Sequence, residues 1–191
     1  MKVDIIILSR NQLDFTKQCL KSLKANTIID FNLIHIDNAS NDGTCNWVSD
    51  FCKRNQINLI QKKFPENYYL TKAINEGIRL SNSEVLVIIN NDLLFALKAI
   101  DYLVQPLIEK KGLWSLGTFT RKELPKEFPN NKDRVEMGIP LFCFGVRKEL
   151  FNKVGLFDER IRFWHADRDF VRRLNVLKIN PLFVPESYVH H

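Results

Sequence analysis

The chain has 191 residues, of which 45% are apolar and 26% charged; that fits one globular domain or one module of a longer protein. Phe, Ile and Leu recur throughout, which excludes intrinsic disorder. The longest apolar runs, Ile5 to Leu8 and Val85 to Ile89, fall far short of the roughly 20 residues a bilayer requires. The net charge of +6 is spread without a basic stripe, so it favours anionic ligands and argues against nucleic acid as a partner.

Met1 to Asp4 leads directly into a strand-like run, without the apolar stretch and cleavage site of a signal peptide. Val3 to Leu8 reads as a buried strand. Asp14 to Leu23 carries Phe15, Cys19, Leu20 and Leu23 at helical spacing. Phe31 to Ile36 is a second strand ending at Asp37, and the turn-rich stretch Asn38 to Thr44 follows it. Trp47, Val48 and Phe51 mark a second helix, Ile57 to Ile60 a third strand, and Tyr69 to Leu80 a third helix. Glu84 to Ile89 is the strongest strand of the chain, and Ile100 to Ile108 the next helix. Thr120 to Glu136 reads as an exposed loop. Ile139 to Val146 is apolar, Glu149 to Val154 a short helix, Asp167 to Leu177 another, and Pro181 to Val184 a last strand.

This alternation predicts an α/β fold, a mostly parallel, Rossmann-like central sheet with helices on both faces. Such sheets bind ligands at the carboxyl ends of their strands. Ser9-Arg10-Asn11, Asp37-Asn38 and Asn90-Asn91-Asp92 should therefore gather on one edge. No cysteine pair among Cys19, Cys45, Cys52 and Cys143 has metal-site or redox spacing, so the reading is free thiols in a reducing, cytoplasmic compartment, with at most peripheral membrane contact. The glycine-rich cradles of dinucleotide and P-loop sites are absent, as is the G-x-S-x-G nucleophile elbow.

What remains is a set of carboxylates at strand and helix ends. Asp37 either accepts a hydrogen bond from a base or ribose or belongs to a turn and helix cap. Asn90-Asn91-Asp92 is either a one-carboxylate site for Mg²⁺ or Mn²⁺, completed by substrate phosphates, or a strand-to-helix turn. Asp167 and Asp169 flank Arg168; they either complement a helix dipole or supply a general base. Trp164 beside them offers an apolar platform for a sugar face. His190 and His191 end the chain.

In order along the chain, these blocks resemble glycosyltransferase family 2, the nucleotide-sugar-dependent enzymes of the GT-A fold. Ile5-Ile6-Ile7-Leu8-Ser9-Arg10-Asn11 and Cys19-Leu20-Lys21-Ser22-Leu23 look like its first strand and helix. His35-Ile36-Asp37-Asn38-Ala39-Ser40-Asn41-Asp42-Gly43-Thr44 is close to its VDNxSxDGT block. Asn75-Glu76-Gly77-Ile78 matches its N-x-G-I helix, and Asn90-Asn91-Asp92 takes the slot of its D-x-D motif. Val154-Gly155-Leu156-Phe157-Asp158-Glu159 matches VGxFDE. Asp167-Arg168-Asp169-Phe170 with Arg173-Leu174 looks like (E)DxDhxxRL, and Pro185 to His191 looks like PEAxVxH.

The resemblance implies a single GT-A domain over residues 1–191, with a nucleotide-binding half to about residue 95 and an acceptor-side half beyond. It implies inverting, metal-dependent transfer of a sugar from a nucleoside-diphosphate sugar, UDP or dTDP favoured, to a hydroxyl of a glycan, glycoprotein or glycolipid. Ser9, Arg10, Asp37 and Asn91 would hold the nucleotide, with Ser9 and Asp37 at the base. Asp92 and His191 would contact the divalent metal, Mn²⁺ or Mg²⁺. Asp167 would be the general base, and Trp164 and His165 would line the acceptor pocket. The sequence departs from the family pattern at Asn90 and Ala166, each replacing an acid, and at Tyr69, where a glycine is common. The rival readings are a sugar nucleotidyltransferase, whose glycine-rich N-terminal loop is missing, and a non-catalytic nucleotide-sugar-binding module.

Overall fold

Val3–Ser9 is buried along its whole length, so both of its faces need a helical cover. The computed structural model, which describes residues 3–109, 115–120 and 141–191, supplies one on each side. The elements are β1 (Val3–Ser9), α1 (Leu13–Asn26), β2 (Phe31–Asp37), α2 (Thr44–Arg54), β3 (Leu59–Lys63), α3 (Tyr69–Leu80), β4 (Val85–Asn90), β5 (Leu94–Phe95), α4 (Ala99–Glu109), β6 (Ser115–Thr120), β7 (Cys143–Arg147), α5 (Leu150–Val154), α6 (Ala166–Val176) and β8 (Leu182–His190).

One sheet joins the strands in the order β3-β2-β1-β4-β7-β6-β8-β5. The first four are mutually parallel, β7 is antiparallel to both β4 and β6, and β8 is parallel to β6. Side-chain alternation divides the core. Ile5, Ile7, Val87 and Ile89 face α1, α2 and α4, whereas Ile6, Leu8, Leu86 and Ile88 face α3, α5 and α6. The first two crossover helices thus cover one face and α3 the other, which makes the gap between β1 and β4 a topological switch point.

Three features of the sheet depart from the sequence reading. The third strand lies two residues later than expected and continues through Lys62 and Lys63; the parallel register pairs Asp37 with Lys63, and an exposed edge strand tolerates lysines. The last strand extends past Pro185 to His190, because β6 and β5 pair along it with a register shift between Gly117 and Phe119. β5 and β6 themselves were not expected. The loop expected over Thr120 to Glu136 lies outside the described residues, except for Thr120, which ends β6.

Two contacts at the base of the sheet explain conspicuous sequence choices. Gly77 of α3 lies so close to β1 that a Cβ there would collide with Ile6 Cγ2. Asp4 is 2% exposed. It accepts hydrogen bonds from Ser81 Oγ (2.6 Å), Ser83 Oγ (2.7 Å) and Asn32 Nδ2 (2.8 Å), and from the amides of Asn82 and Ser83. Burial alone would raise its pKa; the bonds from Ser81, Asn32 and Ser83 outweigh it and hold the carboxyl below the usual range. Asp4→Ala is expected to cost about 3 kcal/mol or more in melting experiments, because several buried donors lose their acceptor. Since the folded pKa is depressed, this stabilisation is present above the unfolded value of about 3.9 and is lost as pH falls through the folded one. The acid limb of the native stability curve should therefore flatten in the variant.

Candidate active site

The carboxyl ends of β1, β2 and β4 open into a cleft of about 510 Å³ at the switch point. Ser9, Arg10, Asn38, Asn91, Asp92 and Trp164 are among its lining residues. The edge that strand patterning predicted is thus one site.

After β1 the chain turns sharply through Asn11 (φ 56°) and Gln12 (φ 58°), two successive left-handed residues. The turn is tied to the β2–α2 loop. Asn11 N–H donates to Ser40 Oγ (2.6 Å), Asn41 N–H to Asn11 Oδ1 (2.9 Å) and Leu13 N–H to Asp42 Oδ2 (2.9 Å). Asp42 also accepts from Thr44 Oγ1 and its amide. The turn-and-cap role weighed for Asn38 to Thr44 is therefore real, and Asp42 carries it. Arg10 stays exposed at the cleft's rim.

Asp37 and Asn38 divide the work at the end of β2. Asp37 is fully buried. Its Oδ1 accepts from Ser40 N–H (2.8 Å) and its Oδ2 from Ser9 Oγ (3.2 Å). It shares the α1–α2 side of β2 with His35 and lies behind the cleft floor. Direct contact of this carboxylate with a base is closed in this conformation, because the side chain is fully buried and its two oxygens are taken by Ser9 and Ser40. Asn38, one residue on, faces the cleft and was missed. Its Oδ1 accepts from Tyr68 N–H and its Nδ2 donates to Tyr69 O, both 3.1 Å. The two-residue side-chain period of a strand, which sets Asn38 on the opposite face from Asp37, was the signal that could have found it.

At the end of β4, Asn91 is anchored by a bond from Nδ2 to Thr16 Oγ1 (2.9 Å). Asp92 Oδ1 lies 3.5 Å from His191 Nε2, with both side chains partly exposed. The pairing of Leu94 with His190 delivers His191 there, and its ring stacks on Phe142 with centroids 4.7 Å apart. Thus the two residues that sequence offered as metal contacts meet. A carboxylate oxygen beside an imidazole nitrogen is a donor set that suits Mn²⁺ and also admits Mg²⁺. No group of three or more acidic, His or Cys side chains positioned to hold a metal gathers among the described residues, so the rest of a cation's shell would come from ligand oxygens and water.

The far wall is built by the segment before α6. Phe163 and Trp164 are 54% and 79% exposed and meet edge to face at 5.4 Å. Leu70 N–H donates to Arg162 O (3.1 Å), and the Arg162 guanidinium sits 4.9 Å from the Tyr69 ring. These contacts join the wall to the start of α3, where Tyr69 has φ 63°. His165 (φ 69°) precedes the helix and is exposed, but it does not line the cleft. Asp167, half-buried in the first turn of α6, has no hydrogen bond or ion pair among the described residues. Asp169 instead accepts from Arg173 Nε (2.9 Å), and Arg173 donates onward to Val154 O (2.7 Å) and Leu156 O (3.0 Å).

The remaining sequence motifs are braces. Asn75 is 1% exposed; it donates to Phe157 O (2.9 Å) and Glu159 Oε1 (3.0 Å) and accepts from Phe157 N–H (3.0 Å). It thereby fastens the Gly155 to Glu159 segment onto α3.

The family model for glycosyl transferase family 2 matches residues 4–157. The chain belongs to this family.

Solved structures agree on the fold. This family 2 chain is similar to the mannosyltransferase PcManGT of Pyrobaculum calidifontis, solved with GDP-Man and Mn²⁺, at TM-score 0.79 and 15% identity over 99% of this chain and 56% of that one. It is similar to S. aureus TarS 1-349 with UDP-GlcNAc at TM-score 0.80 and 16% identity, over 100% of this chain and 58% of that one. GalNAc-T7 with UDP, GalNAc and Mn²⁺ matches at TM-score 0.84 and 15% identity, over 100% of this chain and 44% of that one. The family 2 chain thus spans about half the length of these structures. It shares the GT-A fold that the resemblance implied.

Proposed function

We propose that the protein is a nucleotide-sugar-dependent glycosyltransferase, UDP- or dTDP-sugar-using, inverting and metal-assisted, with a hydroxyl-bearing glycan, glycoprotein or glycolipid as acceptor. The observation that carries this reading is the switch-point cleft, in which Asp92, with His191 3.5 Å behind it, stands on one wall and Trp164 rises on the other. Family membership and the nucleotide, sugar and Mn²⁺ in the structural relatives support it.

In this reading Ser9 and Asn38 face the base, with Asp37 holding the floor behind them. Arg10 offers its cation at the rim, and Asn91, fixed by Thr16, lies near the ribose. Asp92 and His191 would hold Mn²⁺ or Mg²⁺, which supplies Lewis-acid stabilisation of the departing nucleoside diphosphate. Trp164 presents a flat apolar face to the acceptor sugar, with His165 behind it. Asp167 takes the acceptor's hydroxyl proton as the new bond from oxygen to the anomeric carbon forms and the bond to the phosphate oxygen breaks. A single displacement of this kind inverts the anomeric centre.

The four free cysteines, three of them buried, support a reducing compartment; burial pushes the thiols of Cys19 and Cys52 up to about 12. No helix among the described residues is long and apolar enough to cross a membrane. The function is tested by calorimetric titration of UDP, dTDP and GDP with Mn²⁺. Binding of UDP or dTDP is expected, weakened about tenfold by Asn38→Ala. A folded protein that binds none of the three would overturn the reading.

A further inference from the structure

We propose that His35 is a positioning residue for nucleotide binding, acting through a buried row of hydrogen bonds that fixes the direction of the Ser9 hydroxyl at the cleft floor. The proposal rests on the nucleotide-site reading above.

The row crosses three strands. His35 lies opposite Gln61 on β3, and Ser9 lies opposite Asp37, two residues beyond His35. All four side chains share one face of the sheet. Ser9, His35 and Asp37 are 3% exposed or less. An aliphatic residue at position 35 would fill this layer without the cost of burying a polar ring. The imidazole is therefore tolerated only because both of its nitrogens are engaged.

The direction of the row follows from one fixed end. Gln61 Nε2 lies 3.0 Å from Cys45 O and 2.9 Å from His35 Nδ1. The Cys45 carbonyl can only accept, so the nitrogen of the Gln61 amide points this way, and its second N–H reaches Nδ1. Nδ1 then accepts, and in the neutral ring the proton sits on Nε2. Nε2 is 2.7 Å from Ser9 Oγ and donates to it. The Ser9 proton is thereby directed to Asp37 Oδ2, while Asp37 Oδ1 takes the Ser40 amide. Every proton in the row points toward the carboxylate.

Burial holds the His35 pKa down, to about 4, against the opposing pull of Asp37, so the ring stays neutral around pH 7 and the row keeps its polarity. For the ligand, Ser9 has spent its donor and one lone pair inside the protein. What its hydroxyl can still offer is an acceptor, matched to a donor such as a ring N–H of a base and mismatched to a phosphate oxygen.

The test combines ¹⁵N spectra of the imidazoles with UDP titrations in Mn²⁺. The wild-type His35 signal is expected to show the Nε2–H tautomer. His35→Phe is expected to weaken UDP binding about tenfold. His35→Gln should recover affinity to within about threefold, since its amide N–H can reach Ser9 and its carbonyl can take the Gln61 donor. Should His35→Phe fail to fold, Gln61→Leu serves instead: Gln61 is exposed, and removing its N–H should mix the tautomers and weaken UDP binding. An Nδ1–H tautomer in the wild type, or folded His35→Phe and Gln61→Leu proteins that bind UDP as tightly as wild type, would overturn the inference alone. A wild type that binds no nucleotide would remove the function reading and this one together.

Discussion

Asp167→Asn is expected to lower sugar transfer by about 10²–10⁴-fold while leaving nucleoside-diphosphate affinity unchanged, because a general base acts in the transition state and not on the donor. The structure separates the two acids of this helix. Two residues along an α-helix means roughly 200° of rotation, so Asp167 and Asp169 face different sides. Asp169 is committed to Arg173, which binds the carbonyls at the end of α5. Asp167 carries no such commitment among the described residues and stands three positions after the exposed Trp164. Asp169→Asn should therefore lower the melting temperature with transfer affected less. Initial-rate assays beside melting curves on both variants check the assignment, and the reverse pattern would exchange the two roles.

Asp92→Asn is expected to abolish the enhancement of UDP binding by Mn²⁺ and to leave the affinity in EDTA as it is in the wild type. The loss in metal affinity should be at least the 10–100-fold, roughly, that an outer-shell change brings. The magnitude is large because Asp92 is the only carboxylate in the pair; its partner His191 is a neutral donor when deprotonated. Position 90, an acid in the family pattern, is Asn90 here, and Cys19 Sγ sits 3.5 Å from its carbonyl oxygen. Calorimetry with and without the metal, on both proteins, gives the comparison.

Much of this architecture was legible because buried parallel strands announce themselves. Ile5 to Leu8 and Val85 to Ile89 are unbroken apolar runs, and α3 shows its buried face through Ala73, Ile74, Gly77 and Ile78. The misplacement of β3 has a physical cause: an edge strand is held by its register to β2, and Lys62 and Lys63 satisfy that register without looking like a strand. β6, Ser-Leu-Gly-Thr-Phe-Thr, has no periodicity that separates it from a loop, and it exists through pairing with β7 and β8. The meeting of Asp92 and His191 depends on the short β5–β8 ladder, a contact between residues half a chain apart that no local pattern encodes. The burial of Asp37 beside a cleft-lining Asn38 is different in kind. Alternation along β2 placed Asp37 on the same side as Leu33 and His35, within the layer under α2, and Asn38 on the opposite side, where it lines the cleft.

A nucleoside diphosphate and a divalent cation that share the cleft between β1 and β4 should be visible together by paramagnetic line broadening. Mn²⁺ added to the UDP-saturated, isotope-labelled protein should bleach the signals of Arg10, Asn38, Asn91, Asp92 and His191. Those of Ser83 and Lys148, at the opposite end of the sheet, should survive. Broadening centred on the opposite end, or uniform weak broadening with no centre, would contradict the account.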